Sequence, residues 1–287
     1  MDKQNKTFTL KSEMQLNSVK LWWPNSLSHQ HTTYQVTVFE KGSREKAECS
    51  LGFRQVELVR ENDKEGEGQS FYFQINNVPT FCKGASWIPG DNLDSRFSDE
   101  KMRSILESAS ASNFSCIRFV SVKLTKFRLF ILHIKILRVW GGGIYERDYF
   151  YQICDDLGLT VFHDLMFACS LYPCDEEFLE NVRQEVCQQV SRISLHPCVI
   201  VWCGNNECEE AIDLFPLSKS NREKYFEEYS KLFEEKVPLW VLQHSPAIPF
   251  WPSSPSSGIP RSKDKRIHAQ DFSVGDQHYW GSFYATF

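Results

Sequence analysis

The sequence has 287 residues, 41% of them hydrophobic and 24% charged, a balance that supports a sizeable folded core and excludes disordered and collagen-like chains. Its 32 basic against 37 acidic side chains leave a formal net charge of -5, which removes the broad positive footprint needed to hold nucleic acid or an anionic membrane surface. Ten cysteines follow no regular framework spacing and leave the redox compartment open.

The first residues, MDKQNKTFTLKSEM, lack the apolar run of a secretory signal, so no signal peptide is expected in this sequence. Asn5-Lys6-Thr7 and Asn113-Phe114-Ser115 are glycosylation-type triplets. From about residue 17 to 75, short apolar runs alternate with polar turns, as where Tyr34, Val36 and Val38 face one way and Gln35 and Thr37 the other, which predicts antiparallel β structure. His29-Gln30-His31 falls in one of these turns and is expected to be solvated.

Near Asn76 the pattern changes. A strand at Thr80 to Lys83 leads into GASWIPGD at 84 to 91 and then a helix opened by Ser98, with Asp99 and Glu100 in its first turn. Three more strand-then-helix units follow: Leu137 to Trp140 with Glu146 to Leu157, Leu159 to Phe162 with Glu176 to Ser194, and Val199 to Cys203 with Asn221 to Leu242. Ile248 to Trp251 is a fifth strand candidate and residues 252 to 266 read as a loop. Such alternation predicts a parallel sheet, either doubly wound or closed as a (β/α)₈ barrel. Residues 119 to 136 interrupt the rhythm with an apolar, basic run whose charges exclude a membrane helix; no membrane insertion is expected.

Three features carry possible chemistry. VIVWCGNNE at 199 to 207 is a buried strand ending in Gly204, two amides and Glu207; a carboxylate at the carboxyl end of a parallel strand suits general-acid work on a glycosidic oxygen, with Asn206 able to donate and accept beside it. The competing reading is a loop whose Asn and Glu cap the next helix. In LRVWGGG at 137 to 143, Arg138 inside an apolar strand needs a partner or a ligand, and Asp164 is the natural partner. The glycines are not followed by the Lys-Ser/Thr of a phosphate loop. Trp87, Trp140, Trp202, Trp251 and Trp280 fall at or near strand ends, where a flat face suits the CH-rich side of a sugar, although core packing is the commoner role of any one tryptophan. The pairs Cys169/Cys174 and Cys203/Cys208 sit at the edge of zinc spacing without knuckle glycines, so no metal is expected, and no G-x-S-x-G nucleophile elbow is present.

Taken together, LWWPN at 21 to 25, GASWIPGD, LRVWGGGIYERDYFYQICDDLG, VFHDLMFACSLYP at 161 to 173, SLHPCVIVWCGNNECEEA and FWPSSP at 250 to 255 resemble the β-mannosidase branch of the glycoside hydrolase family that also holds β-galactosidase and β-glucuronidase. The resemblance implies an immunoglobulin-like β-sandwich over residues 1–75 and a truncated (β/α)₈ TIM barrel over 76–287, carrying the atypical insert at 119 to 136. It implies retaining hydrolysis of terminal β-linked mannose from an oligosaccharide substrate, in a lysosomal setting and without a cofactor. Glu207 matches the acid/base, Asn206 the residue that holds the sugar 2-hydroxyl, and Arg138, Trp140, Asp164 and Trp87 the lining of the sugar pocket. His278 and Trp280, in GDQHYW, match a later strand segment of the family. The family's nucleophile belongs in a segment resembling SEYG, which this sequence does not contain. A glycan-binding chain without turnover is the alternative.

Overall fold

A computed structural model describes residues 15–39, 46–62, 68–82, 84–111, 136–260, 267–269, 271 and 273–278. The expectations for Asn5, Asn113, residues 119–135 and Trp280 lie outside them. Antiparallel pairing dominates the first part, as the alternation predicts. Strands β1 (Tyr34–Phe39) and β2 (Lys46–Leu51) form a two-stranded sheet. Strands β3 (Val56–Val59), β4 (Tyr72–Ile75) and β5 (Val78–Thr80) form a meander, with Asn76 and Asn77 at φ 50 and 65, the positive-φ turn that asparagine tolerates. The expected boundary between residues 75 and 76 therefore falls inside a hairpin, because β4 and β5 exchange backbone hydrogen bonds across it.

The second part is a five-stranded parallel sheet: β6 (Gly84–Trp87), β7 (Ile136–Val139), β8 (Thr160–Asp164), β9 (Val199–Cys203) and β10 (Phe250–Trp251), each beside its predecessor with no reversal of order. The first parallel strand is thus GASW itself rather than Thr80 to Lys83, since Thr80 closes the meander and Gly84 pairs with Ile136. Ile136, the last residue of the expected insert, opens β7. Helices α1 (Asp99–Ala111), α2 (Asp148–Leu157) and α3 (Glu176–Ile193) follow the first three of the strands from β6, and α4 (Cys208–Leu214), α5 (Arg222–Tyr229) and α6 (Val237–His244) come after β9. Helix α3 begins where Asp175 accepts the Phe178 N–H at 2.9 Å, a side-chain N-cap. The single helix expected over 221 to 242 is instead α5, a π-helical turn at Ser230–Lys236 and α6; Pro238, which supplies no N–H, sits where the regular ladder would continue. Among the described residues no helix is long and apolar enough to cross a membrane.

Strand alternation sorts the core into two faces. Leu137, Val139, Val161, Val199 and Trp202 pack against the helices, with Phe150, Ile153, Val186 and Val190. On the other face Ile136, Phe162, Val201, Cys203 and Trp251 meet Val56, Phe73 and Ile75 of the meander. That second face is apolar at its amino end; at the carboxyl end it carries Arg138 and Asp164, and there the site is built.

Asp155 ties the amino-terminal part to the sheet. Its carboxylate engages His196 Nδ1 at 2.6 Å and accepts the Cys198 N–H at 3.0 Å, while its backbone carbonyl accepts the Trp22 indole N–H at 2.9 Å. Beside it Gly158 closes α2 at φ 64, and a Cβ there would stand 2.1 Å from the His31 ring. His31 is therefore packed, with Nδ1 against the Trp23 carbonyl at 2.7 Å, rather than solvated as expected. Asp155→Ala strips a buried histidine and a buried N–H of their acceptor and is expected to lower stability by about 3 kcal/mol. A shift in the urea midpoint worth under about 1 kcal/mol would refute this anchoring role.

Candidate active site

Arg138 and Asp164 form the centre. Arg138 donates from Nε to Asp164 Oδ1 at 3.0 Å and from Nη2 to Oδ2 at 2.7 Å, the forked geometry that favours arginine over lysine. Both side chains are buried. Burial is the largest single influence and lowers the guanidinium pKa, but the charge and hydrogen bonds of Asp164 together with the nearby Cys203 and Asp276 outweigh it and hold Arg138 above its ordinary range, so it stays cationic. The partnership expected from the sequence is the one observed. Gly141 completes it: its N–H donates to Asp164 Oδ2 at 3.1 Å, and a Cβ on it would stand 2.4 Å from the Phe167 carbonyl oxygen, which is why the strand must be followed by glycine.

The adjoining loops add the remaining groups. Asn206 accepts from Arg138 Nη2 at 3.1 Å and donates from Nδ2 to Cys169 Sγ at 3.3 Å. Asn205 does what the competing reading expected: its Oδ1 accepts the Cys208 N–H at 3.0 Å and caps α4. Glu207 makes no such cap and stands at φ 57, a left-handed conformation costly for glutamate and characteristic of functional positions. Cys169, at φ 48, donates its thiol proton to Glu207 Oε2 at 3.3 Å. Burial and then the Glu207 charge push that thiol up to about 11, which keeps it a protonated donor at neutral pH. Four backbone hydrogen bonds lace these loops together: Cys169 N–H to Asn206 O at 2.8 Å, Asn206 N–H to Phe167 O at 2.9 Å, Glu207 N–H to Ser254 O at 3.1 Å and Ser254 N–H to Asn205 O at 2.9 Å.

His278 reaches in from far along the chain, with Nδ1 2.5 Å from Glu207 Oε1 and Nε2 3.1 Å from Arg138 Nη1. Ser254 Oγ lies 3.0 Å from the same Nε2 and donates to Asp276 Oδ2 at 2.5 Å. Asp276 also accepts from the Trp251 indole at 2.6 Å and from Ser256 N–H at 3.0 Å. Burial pushes its carboxyl up to about 6 despite these donors. Because the folded-state value lies above the ordinary 3.8, the native state holds an extra proton between those values, and this group's contribution to stability falls as pH rises from about 4 to 6. Asp276→Asn is expected to flatten that slope. Denaturation midpoints of both proteins at pH 4, 5, 6 and 7 check it; a wild-type minus variant difference that is constant across the series would show the carboxyl to be unshifted.

Alternation places the tryptophans differently from one another. Trp87 pairs with Val139 on the helix side, packs on Phe150 with ring centroids 5.0 Å apart and donates to Glu146 Oε1 at 2.8 Å; Ser86, not Trp87, shares the face of Arg138. Trp202 is fully buried on that helix side and donates to Ser245 Oγ at 3.1 Å. The expected pocket role of Trp87 is thus corrected by the register of β6 and β7. Trp140 is half-buried; its backbone N–H donates to the Trp87 carbonyl at 3.0 Å and its indole lies under Gly142. Trp251 lies on the Arg138 face, with Arg60 5.0 Å over its ring.

Sequence reasoning weighed Cys169 only for zinc spacing and did not single out Ser254 or Asp276. Among the described residues, the one group of three that could hold a metal ion is Glu207, Glu210 and His278, with ligand atoms within 4.8 Å of one another; the four cysteines at the edge of zinc spacing form no such group, and all nine described cysteines are unpaired. Glu210 also lines a cavity of about 580 Å³ with Glu209, Asp213, Arg222, Phe226 and His268.

No protein-family model matches the chain. Among known proteins it is similar to β-mannosidase of Capra hircus, 36% identical over 269 residues, covering 91% of this chain and 28% of that protein. It is likewise similar to a probable β-mannosidase of Caenorhabditis elegans, 36% identical over 270 residues, with 91% and 27% covered. The crystal structure of a β-D-mannosidase from Dictyoglomus thermophilum superposes with a TM-score of 0.76 at 34% identity, over 93% of this chain and 29% of that one. A β-glucuronidase of Parabacteroides merdae shares the fold alone, with a TM-score of 0.53 at 14% identity over 79% of this chain and 24% of its own. The fold and site thus define a chain of the mixed β and parallel α/β class shared by these hydrolases. More particularly it is a homologue of the β-mannosidases, as the sequence motifs indicated, and it spans about 28% of the length of the curated relatives it matches.

Proposed function

We propose that the chain carries the acid/base and sugar-recognition part of a retaining β-mannoside hydrolase, with Glu207 as general acid/base. The observation that carries this reading is the placement of Glu207 at the carboxyl end of the sheet, in a strained conformation, 2.5 Å from His278 and next to the Arg138–Asp164–Asn206 cluster. A glycosidic oxygen needs a proton as its bond to the sugar carbon breaks, and a half-buried carboxyl held by two side chains can deliver it. Arg138, Asp164 and Asn206 supply donors and acceptors of fixed geometry for sugar hydroxyls, and Trp140 a flat face beside them. The cavity past Glu210 provides room for the aglycone on the acid side. A retaining reaction also needs a second carboxylate about 5 Å from the first, which the resemblance assigns to a segment this sequence does not contain.

The substrate is then an oligosaccharide with a terminal β-mannose. The monotonic strand order supports the reading of β6 to β10 as consecutive strands of a (β/α)₈ barrel, and β1 to β5 as part of an immunoglobulin-like β-sandwich; the pairing of β3, β4 and β5 in one sheet moves the proposed division toward the β5–β6 connection. A lysosomal place of action belongs to the same proposal and is supported by the resemblance to the animal enzymes. The test is calorimetric titration of this chain with a mannose-configured iminosugar and its gluco-configured epimer, alongside hydrolysis of chromogenic β-mannoside, α-mannoside and β-glucoside. Preference for the β-mannose-like ligand supports the proposal. Equal affinity for the two epimers overturns it.

A further inference from the structure

The two ring nitrogens of His278 face partners of different kinds. Nε2 lies 3.1 Å from Arg138 Nη1, and a guanidinium is a donor only. A proton on Nε2 would point at an N–H that cannot turn away, because Arg138 is fixed through Nε and Nη2 by Asp164 and through Nη2 by Asn206. Nε2 must therefore accept, and the ring's one proton falls on Nδ1, facing Glu207 Oε1 at 2.5 Å. Ser254 Oγ, 3.0 Å from Nε2, gives its own proton to Asp276 Oδ2 at 2.5 Å and so could only accept from Nε2, but a proton placed there for it would still meet the fixed Arg138 N–H.

We propose that His278 is a positioning residue for Glu207, held by Arg138 as the Nδ1–H tautomer and donating that proton to Glu207 Oε1. The proposal rests on the reading of Glu207 as acid/base and gives His278 a role other than sugar contact. Its consequence is regiochemical. Both carboxylate oxygens accept while Glu207 is ionised, Oε1 from the fixed His278 ring and Oε2 from the Cys169 thiol; only the thiol can rotate its proton away, so the proton that Glu207 transfers sits on Oε2. In the acid step the Oε2–H bond breaks as a new O–H bond forms on the glycosidic oxygen. The bond from the sugar carbon to that oxygen breaks with its electron pair staying on the aglycone, and the sugar carbon takes the positive charge. The group that binds the sugar and the group that protonates the leaving oxygen are thereby joined through one imidazole: Asp164 to Arg138 to His278 to Glu207.

The first measurement needs no turnover. In this chain labelled with ¹⁵N-histidine, the resonances lost in His278→Asn identify His278, and at neutral pH they are expected to report a bare Nε2 and a protonated Nδ1. The Nε2–H tautomer, or protons on both nitrogens, would overturn the proposal. The second measurement, made on the chain extended to carry the second carboxylate, compares kcat/KM for a β-mannoside of an alkyl alcohol with that for one of dinitrophenol. His278→Ala is expected to lose about tenfold more on the alkyl substrate than on the activated one. His278→Asn, whose amide N–H replaces Nδ1–H, is expected to recover most of that difference, and His278→Gln is not. Equal losses on both substrates, or a change confined to KM, mark a sugar contact and overturn it. Glu207→Gln separates the two readings: a leaving-group effect there without one in His278→Ala sinks only the positioning role, and none in either sinks the acid/base assignment as well.

Discussion

In a chain extended to carry the second carboxylate, Glu207→Gln is expected to lower kcat/KM on a β-mannoside with a poorly activated leaving group by about 10²- to 10⁴-fold, the usual contribution of a positioned general acid, while leaving a dinitrophenyl glycoside within about tenfold of the unsubstituted protein. The asymmetry follows from the chemistry. An alkoxide cannot leave a sugar carbon unprotonated at neutral pH, whereas dinitrophenolate can. The amide that replaces the carboxyl keeps an oxygen to accept from His278 and fills the same volume, so the loss reads the missing proton rather than a collapsed site. The measurement is the slope of log kcat/KM against leaving-group acidity for wild type and variant. Identical slopes would remove Glu207 from the acid role.

Asp164→Ala is the second large effect, and it falls on stability as well as on binding. The substitution leaves the Arg138 guanidinium buried with its strongest partner gone and takes the acceptor from the Gly141 N–H. Breaking a buried pair at one end costs about 3–5 kcal/mol, because the remaining charge has no water to return to. Urea unfolding is expected to show that loss, and the iminosugar affinity to fall with it, since Arg138 freed from Asp164 no longer aims Nη2 at Asn206 or Nη1 at His278. Asp164→Asn, which keeps one acceptor, is expected to lose less on both measures. A stability change below about 1 kcal/mol for the alanine variant would show that Arg138 finds another acceptor and that the pair is not the centre of the site.

Much of this arrangement is legible in the order of residues, and the failures have physical causes. The parallel units were visible because four or five apolar residues bounded by glycines and followed by amphipathic helices have few other uses. The Arg138–Asp164 pair was visible because a charge inside an apolar strand demands one of opposite sign nearby. Trp87 was misplaced because strand alternation fixes which residues share a face but not which face meets the helices; Arg138 and Trp140 have the same parity, whereas the parity of Trp87 relative to them depends on register with β7, a property of the folded sheet. The division at residue 75 lies inside a hairpin because the change of pattern near Asn76 falls on the turn between β4 and β5, and a turn and a change of style look alike in the order of residues. Cys169 drew notice only for its spacing to Cys174: its part in the site comes from a left-handed backbone that brings a thiol to Glu207. Ser254 and Asp276 are placed by contacts spanning tens of residues, and only the histidine in GDQH stood out.

The backbone lacing of the loops after β8, β9 and β10 bears on how such a site can change. Because each loop is hydrogen-bonded to its neighbour through main-chain atoms, the position of Glu207 depends on the lengths and paths of three segments at once rather than on the side chains within any one of them. Side chains pointing away from the seam are free to vary. A loop of different length transplanted from a relative would pull the acid out of line even if every functional residue travelled with it, so a graft that preserves function has to carry residues 165–172, 204–207 and 252–256 as one cassette.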